Sequence, residues 1–314
     1  MKNIVLSLSL GCVQLIFGQQ QEHLTQYQFN QFAFNPALAG SKHCLDIRGG
    51  YRYQWVGIEG APENGFVNAH APLRFGNKRR PAYKPSHGIG GHLRRDALGP
   101  FSTIETHLAY AFHVPIKRSI KLSLGLSFGL KQMAFDESKF TTIYQDNAVP
   151  NSSSFIVFPD MRFGAWLTTK KEYFGFSIHN LIGNKLDELG ATAKNQMHFY
   201  LTAGKKLKLE KGWTVIPSIM MAMTKNTPVD FHISALFDLD NKVSFGVGLR
   251  RTDAITAQIR VKFMNFISIG YSFDYIISKL QKNMYQSHEI TMGMNNCSSY
   301  GGAGSSTTNC ATFE

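Results

Sequence analysis

The stretch Lys121-Leu122-Ser123-Leu124-Gly125-Leu126-Ser127-Phe128-Gly129-Leu130-Lys131 decides the fold class. Leu122, Leu124, Leu126, Phe128 and Leu130 take alternate positions; lysine, serine and glycine take the others. Successive side chains of a strand point to opposite faces, so this segment is a strand with one apolar face and one small, polar face. A helix would scatter the leucines around its circumference.

The same pattern recurs outward from here. Ile104, Thr106, Leu108, Tyr110 and Phe112 oppose Glu105, His107, Ala109 and His113. Val243, Phe245, Val247 and Leu249 oppose Ser244, Gly246, Gly248 and Arg250, and the pattern returns over 254–263 and 267–275. Strands are predicted near 43–56, 64–73, 86–95, 101–114, 119–133, 157–168, 171–180, 196–207, 212–224, 229–238, 242–251, 254–263, 265–275 and 286–294. That is an even set of about fourteen, as a single-chain outer-membrane barrel requires, and the loose boundaries also accommodate 12 or 16. Tyr51, Tyr53, Trp55, Trp166, Tyr173 and Trp213 fall at predicted strand ends, where they are expected to form aromatic girdles. The competing architecture is a water-soluble β-sandwich, which would turn its apolar face inward and its charges outward. The number of strands and the Gly/Ser-rich polar face favour the membrane barrel.

Composition agrees. Of 314 residues, 43% are hydrophobic and only 17% charged, which excludes a disordered chain. After the N-terminus no run of 18 apolar residues occurs, which excludes spanning helices. Met1-Lys2-Asn3, the apolar stretch from Ile4 to Phe17 and the small Gly18 before Gln19-Gln20 read as a secretory signal peptide over 1–18. Its removal takes away Lys2 and lowers the formal charge from +12 to +11. A short extended arm is expected over 19–42, the barrel over 43–294 and a flexible Gly/Ser-rich tail over 295–314. Among the mature cysteines, Cys297 and Cys310 enclose a short tail loop and are the expected disulfide, leaving Cys44 unpaired.

With the N-terminus in the periplasm, the long connections 134–156, 181–195 and 276–285 face outward. Tight turns at Pro115-Ile116, Lys170, Leu239 to Asn241 and near Asn265 face inward, the long basic Arg74 to Pro85 being the exception. Lys78-Arg79-Arg80, Lys117-Arg118, Lys170-Lys171, Lys205-Lys206, Lys208 and Lys211 fall at inner turns and form a basic rim. That rim suits an acidic partner, or simply a solvated edge, better than nucleic acid.

Several motifs carry a family resemblance. Asn35-Pro36-Ala37-Leu38-Ala39-Gly40-Ser41, Tyr51-Arg52-Tyr53-Gln54-Trp55-Val56-Gly57 and Gly60-Ala61-Pro62 resemble the opening signatures of the PorP/SprF family of type IX secretion outer-membrane proteins from Bacteroidetes-type bacteria. His70-Ala71-Pro72-Leu73, Asp96 to Pro100, Tyr173 to Leu181, Gly270 to Tyr275 and Ser287 to Ile290 follow the family in order and spacing, so the resemblance covers about 26–294. It implies an outer-membrane component that helps a large secreted partner, such as an adhesin, reach and stay at the cell surface, with a possible link to gliding. The implied partners are that protein's C-terminal domain, periplasmic type IX machinery and outer-membrane lipid. Asn35, Pro36, Gly40, Tyr51, Arg52, Gln54, Trp55, Gly57, Gly60, Ala61 and Pro62 are then candidate partner-contact positions, with barrel shaping as the alternative. Trp55 is expected at the outer interface with its N–H toward water.

No chemistry-bearing motif competes. His-Glu-x-x-His and Cys-x-x-Cys are absent, Gly125-Leu126-Ser127-Phe128-Gly129 lies within an alternating strand and is no nucleophile elbow, and Gly88-Ile89-Gly90-Gly91 lacks the context of a nucleotide loop. His70, His87 and His92 lie on neighbouring strands without metal-site spacing. The expectation is a non-enzymatic barrel without cofactor or metal, with a diffusion channel or uptake porin as the alternative. The alternation leaves open whether its lumen is open or plugged.

Overall fold

A computed structural model describes residues 24–42, 44–73, 84–139, 154–184, 195–251, 253–263, 266–278 and 286–295. The chain forms one closed antiparallel β-barrel. Its strands are β1 (Asp46–Tyr53), β2 (Glu63–Leu73), β3 (Ser86–Leu98), β4 (Phe101–Lys117), β5 (Ile120–Phe135), β6 (Ser154–Thr168) and β7 (Glu172–His179). There follow β8 (His198–Lys205), β9 (Leu207–Lys208), β10 (Trp213–Thr224), β11 (Asp230–Leu239), β12 (Val243–Arg250), β13 (Ala254–Phe263), β14 (Ile267–Ile276) and β15 (Ser287–Asn295). Sequential strands pair, and β15 closes on β1 with Asp46 opposite Asn295 and Tyr53 opposite His288. β8 and β9 both pair with the same edge of β10, so they are one strand interrupted at Lys206. The barrel therefore has fourteen strands, as the alternation predicts.

Prolines explain the irregularities, because a residue without an N–H cannot serve a ladder on both sides. Pro217 of β10 lies opposite the break between β8 and β9. Pro159 of β6 lies beyond the reach of β7, whose pairing covers only Phe163 to Thr168 of β6. Pro72 lies past the last β1 partner of β2, His70. Pro115, expected in a turn, is instead inside β4 at a register shift; the turn falls three residues later, at 118–119. A bulge absorbs a proline as a turn does, and spacing alone does not distinguish them.

The apolar face points out of the barrel. Leu124, Leu126, Phe128 and Leu130 are exposed, whereas Ser123 and Ser127 between them are buried. Thr256 is buried between the exposed Ile255 and the outward Ala257, and Ser272 lies buried beside the exposed Tyr271. This inverts a water-soluble sandwich and suits a wall that meets lipid outside and polar groups inside. The girdle expectation holds for Tyr51 and Tyr53, which face outward. It fails for Trp166 and Tyr173, which are buried and stacked on each other with ring centroids 5.0 Å apart. Both share the inward parity of their strands, alongside Gly164 and Ser177 respectively. Trp213 is half-buried and meets Phe245 edge-on.

The strands define two ends. At the long-loop end lie 54–62, the region after Phe135, the segment after His179, and the segment after Ile276. At the short-turn end lie 118–119, 169–171, 209–212 and 240–242.

Candidate functional site: a plugged lumen and its two mouths

Residues 24–42 are not an extended arm outside the barrel. They form a turn, a single helical turn at Gln31–Phe34 and a 3-10 turn at Pro36–Leu38, and they run through the lumen. Leu24, Tyr27, Phe32, Phe34, Ala37 and Ala39 are all buried there. The segment coils because its helix and turns satisfy part of its own backbone, Asn35 N–H bonding Gln31 O and Ala39 N–H bonding Pro36 O. Wall side chains bond further backbone groups, among them Thr25 N–H, Phe34 O and Ala39 O.

Those wall contacts descend the barrel in order. At the long-loop end, the N–H groups of Thr25 and Gln26 donate to the Glu289 carboxylate at 2.8 and 3.1 Å. The Thr25 hydroxyl donates to Asp274 and accepts from Arg52 (2.7 Å) and Arg250 (2.9 Å). Arg52 also bonds Asp274 at 2.6 Å and Glu289 at 3.3 Å, and Arg250 reaches Asp253 at 2.9 Å. Midway, the Tyr27 hydroxyl meets Ser218 at 2.7 Å and Ser234 at 3.1 Å, and Asn68 donates to Asn30 at 2.5 Å. Further along, Ser177 and His179 donate to Phe34 O. Asn35 Nδ2 donates to Ala165 O and Phe176 O, and its Oδ1 caps Ala37 N–H, all at 3.0 Å. Near the short-turn end His113 bonds Ala39 O at 2.9 Å, and Gly40 N–H donates to His70 at 3.2 Å. Lys42 and Arg48 then meet Asp46 at 2.7 and 3.0 Å.

Glycines in the wall make room for this thread. A Cβ at Gly88 would stand 2.1 Å from Ala39 O, one at Gly125 2.4 Å from Ala37 N, and one at Gly164 2.1 Å from Asn35 Oδ1. These mid-strand glycines are where another backbone approaches the sheet. Beside the thread, the gap lined by Gln26, Gln28, Phe29, Leu236, Gln258 and Arg260 is about 10 Å³, at most one water.

The motif residues fall into two groups. Asn35, Pro36, Gly40 and Arg52 belong to the plug and its anchors, and Gln54 is buried beside them. Gly40 needs its positive φ of 64° and packs on Gly88. Tyr51 faces outward and bonds Glu63 at 2.5 Å. The remainder shape the 54–62 tip: Gln54 N–H bonds Pro62 O, Ala61 N–H bonds Ile58 O, and Gly57 and Gly60 have φ of 107° and 70°. The Gly60 carbonyl accepts from Gly99 N–H at 2.9 Å, fastening the tip to the next hairpin. Trp55 departs from expectation. Its indole N–H is buried and meets no acceptor among the described residues. With φ at 49°, the backbone turns over the start of β15, the Trp55 N–H donating to Ser287 and the Val56 N–H to Gln286 O.

His107 and His113 face the lumen as expected. His70 serves the plug, His87 bonds Tyr110 at 2.6 Å, and His92 is buried beside Arg94 and Glu105, so the three stand apart. Among the described residues no trio of His, Cys, Asp or Glu is disposed to hold a metal. Besides the cluster of Arg52, Arg250, Asp274 and Glu289, a second buried ionic cluster forms where Glu105 meets Lys131 at 2.8 Å, Arg94 at 3.8 Å and Arg162.

Among the described residues exposed cations are more numerous at the short-turn end, although Lys139, Lys225 and Arg251 are exposed at the long-loop end. At the short-turn end Lys117, Arg118, Lys170, Lys171, Lys205, Lys208 and Lys211 are exposed. Burial pushes the Lys206 ammonium down, and the Lys205 charge is matched by Glu172 at 2.7 Å. The long-loop end carries Asp136, which Ser138 hydrogen bonds hold below the usual carboxylate range, with Glu137 and Glu59. Cys44, expected to be free, is disulfide-bonded and buried. The pairing expected between Cys297 and Cys310, Lys78-Arg79-Arg80, the signal segment and most of the 134–156 loop lie outside the described residues.

No curated protein matches the chain. Among solved structures it is similar to a FadL homologue from Pseudomonas aeruginosa, at 9% identity over 86% of this chain and 93% of that one, TM-score 0.47. It is also similar to the translocator domain of the autotransporter NalP from Neisseria meningitidis (10%, 86% and 95%, TM-score 0.44). A third is the monoaromatic hydrocarbon channel CymD (10%, 88% and 93%, TM-score 0.48). The family model for the type IX secretion system membrane protein PorP/SprF matches residues 16–294, and the chain belongs to that family.

Proposed function

We propose that this membrane barrel of type IX secretion is a non-enzymatic anchor in the outer membrane that helps a large exported protein, such as an adhesin, reach and remain at the surface. Its long-loop end would face outward and meet the cargo, and its basic short-turn rim would face the periplasmic machinery. The observation that carries this reading is the filled lumen: a thread anchored at both ends leaves a wall and two mouths as the surfaces open to a partner. The same observation counts against a constitutive diffusion channel. The exposed lysines of the rim suit electrostatic capture of an acidic surface.

Affinity purification of the full chain in mild detergent, with mass spectrometry, tests the reading. The expected result is a large exported protein whose surface abundance falls when this chain is deleted. Solute uptake that falls on deletion, with no change in any surface protein, would favour the channel.

A further inference from the structure

The direction in which the thread runs has a topological consequence. Thr25 lies at the level of Arg52, Asp274 and Glu289, the strand residues next to the 54–62 tip and the long-loop connection between β14 and β15. Gly40 lies at the level of His70 and Gly88, next to the opposite mouth. The chain therefore descends the lumen from residue 24 to residue 42 before β1 climbs the wall. We infer that the thread begins at the extracellular mouth of the barrel, so that the amino end of the mature chain emerges outside the cell. This rests on the reading that the long-loop end faces outward.

Three observations carry it. The clasp is specific to this end: Arg52, Arg250, Asp274 and Glu289 are essentially fully buried, and all except the wall-to-wall pairs converge on the Thr25 hydroxyl and the Thr25 and Gln26 backbone. Two buried cations and two buried carboxylates neutralise one another only while the backbone N–H groups and the hydroxyl complete their shell. The apolar neighbours agree, since Leu24 clusters with Phe66, Tyr200, Met220 and Ala222, each in the long-loop half of its strand. Reach closes the argument. If the signal ends at Gly18, residues 19–23 span at most about 18 Å when fully extended. From Arg52 down to Asp46 is about 20 Å along the strand at ~3.3 Å per residue. The way down is filled by the thread itself.

The test uses the full-length chain with a short epitope inserted between His23 and Leu24. Two control chains carry it at the 118–119 turn and at Asn226-Thr227, which lie at opposite ends. Antibody binding is compared on intact and permeabilised cells, and each chain is checked for a heat-modifiable folded band. The expected result is that the His23/Leu24 and Asn226/Thr227 epitopes are labelled equally in both states, whereas the 118–119 epitope appears only after permeabilisation. A His23/Leu24 epitope hidden on intact cells while both controls behave as stated would overturn the inference and leave the orientation standing. Controls that behave in reverse would overturn the orientation and the inference together. If the insertion abolishes folding, a protease site placed after Gln20 replaces it, and cleavage by external protease on intact cells is the supporting result; protection with cleavage only after permeabilisation is the contrary one.

Discussion

Replacing Gly88 and Gly125 together with valine should expel the lower half of the plug and open the barrel. Both glycines lie on the lumen face of paired strands, and valine favours a strand, so the ladder is undisturbed. The obstruction is steric. Cβ atoms would stand 2.1 Å from Ala39 O and 2.4 Å from Ala37 N, against ordinary contacts of about 3.5–4.0 Å, so the thread must retreat by more than an ångström. Retreat breaks the bonds from Asn35 to Ala165 O and Phe176 O, from His113 to Ala39 O and from Gly40 to His70. At roughly 1 kcal/mol each, these amount to about 4 kcal/mol of anchoring. Losing it multiplies the population of the displaced state by about a thousand.

Planar-bilayer recording measures the outcome. The unaltered protein should be silent or rarely conducting, and the double variant should give stepwise currents smaller than those of a chain lacking residues 24–42, because the upper segment stays in the lumen. Heat modifiability on a gel, run in parallel, shows whether the variant barrel remains folded. A folded double variant as silent as the parent would refute the assignment of these glycines to the thread. A parent that conducts like the deletion chain would refute the plug itself.

Three further outcomes are expected. Leu126→Lys, on the lipid face, should cost about 2–4 kcal/mol in urea unfolding if the position lies near the bilayer midplane. Ser127→Lys should not be benign, because its site is only 4% exposed inside a filled lumen, whereas Ser127→Ala should be near neutral; equal tolerance of all three would mean that the register is wrong. Arg52→Met leaves Asp274 and Glu289 short of a buried partner and should destabilise by on the order of 3–5 kcal/mol, read from the midpoint of the same unfolding curve. Non-reducing peptide mapping should find Cys44 joined to Cys297, because the Asp46–Asn295 register extended by two residues places them opposite each other; a Cys297–Cys310 peptide with Cys44 alkylated would exclude that pairing.

The strand count, the parity of the five strands with the clearest alternation and the outward apolar face were legible because period-two alternation is a local signal repeated along the chain. The plug was not, because 24–42 carries no periodicity: its side chains answer to several walls at once. A signal was nevertheless present in Gly88, Gly125 and Gly164, which stand mid-strand on the polar face with no turn to require them. Glycine weakens a strand, so a stripe of it inside a barrel marks something lying against the wall. Trp166, Tyr173 and Trp55 were misplaced for the opposite reason. Aromatic residues at strand ends suggest a girdle, yet parity sends the first two inward and the third, at a left-handed backbone position, has its indole N–H buried. Arg52 was legible as a motif position, but its role as a plug anchor depends on Asp274 and Glu289, more than 200 residues away.

The unequal anchoring of the thread bears on how such a plug could move. Burial of Leu24, Tyr27 and Phe34 contributes roughly 1.5–3 kcal/mol each, so the upper segment holds by roughly 4.5–9 kcal/mol before its hydrogen bonds are counted. The segment from Asn35 to Gly40 buries small side chains and relies on a few neutral hydrogen bonds that water can replace. Thermal motion alone leaves the upper segment in place, and only a ligand with a large difference in affinity for the two states can release it. The lower segment is the yielding part, beside the basic rim. A partner at the rim needs only a few kcal/mol to loosen the thread from below, whereas one at the opposite mouth must also break the clasp of Arg52, Arg250, Asp274 and Glu289. The geometry thus makes the attachment at the long-loop mouth firm and the one at the short-turn mouth responsive.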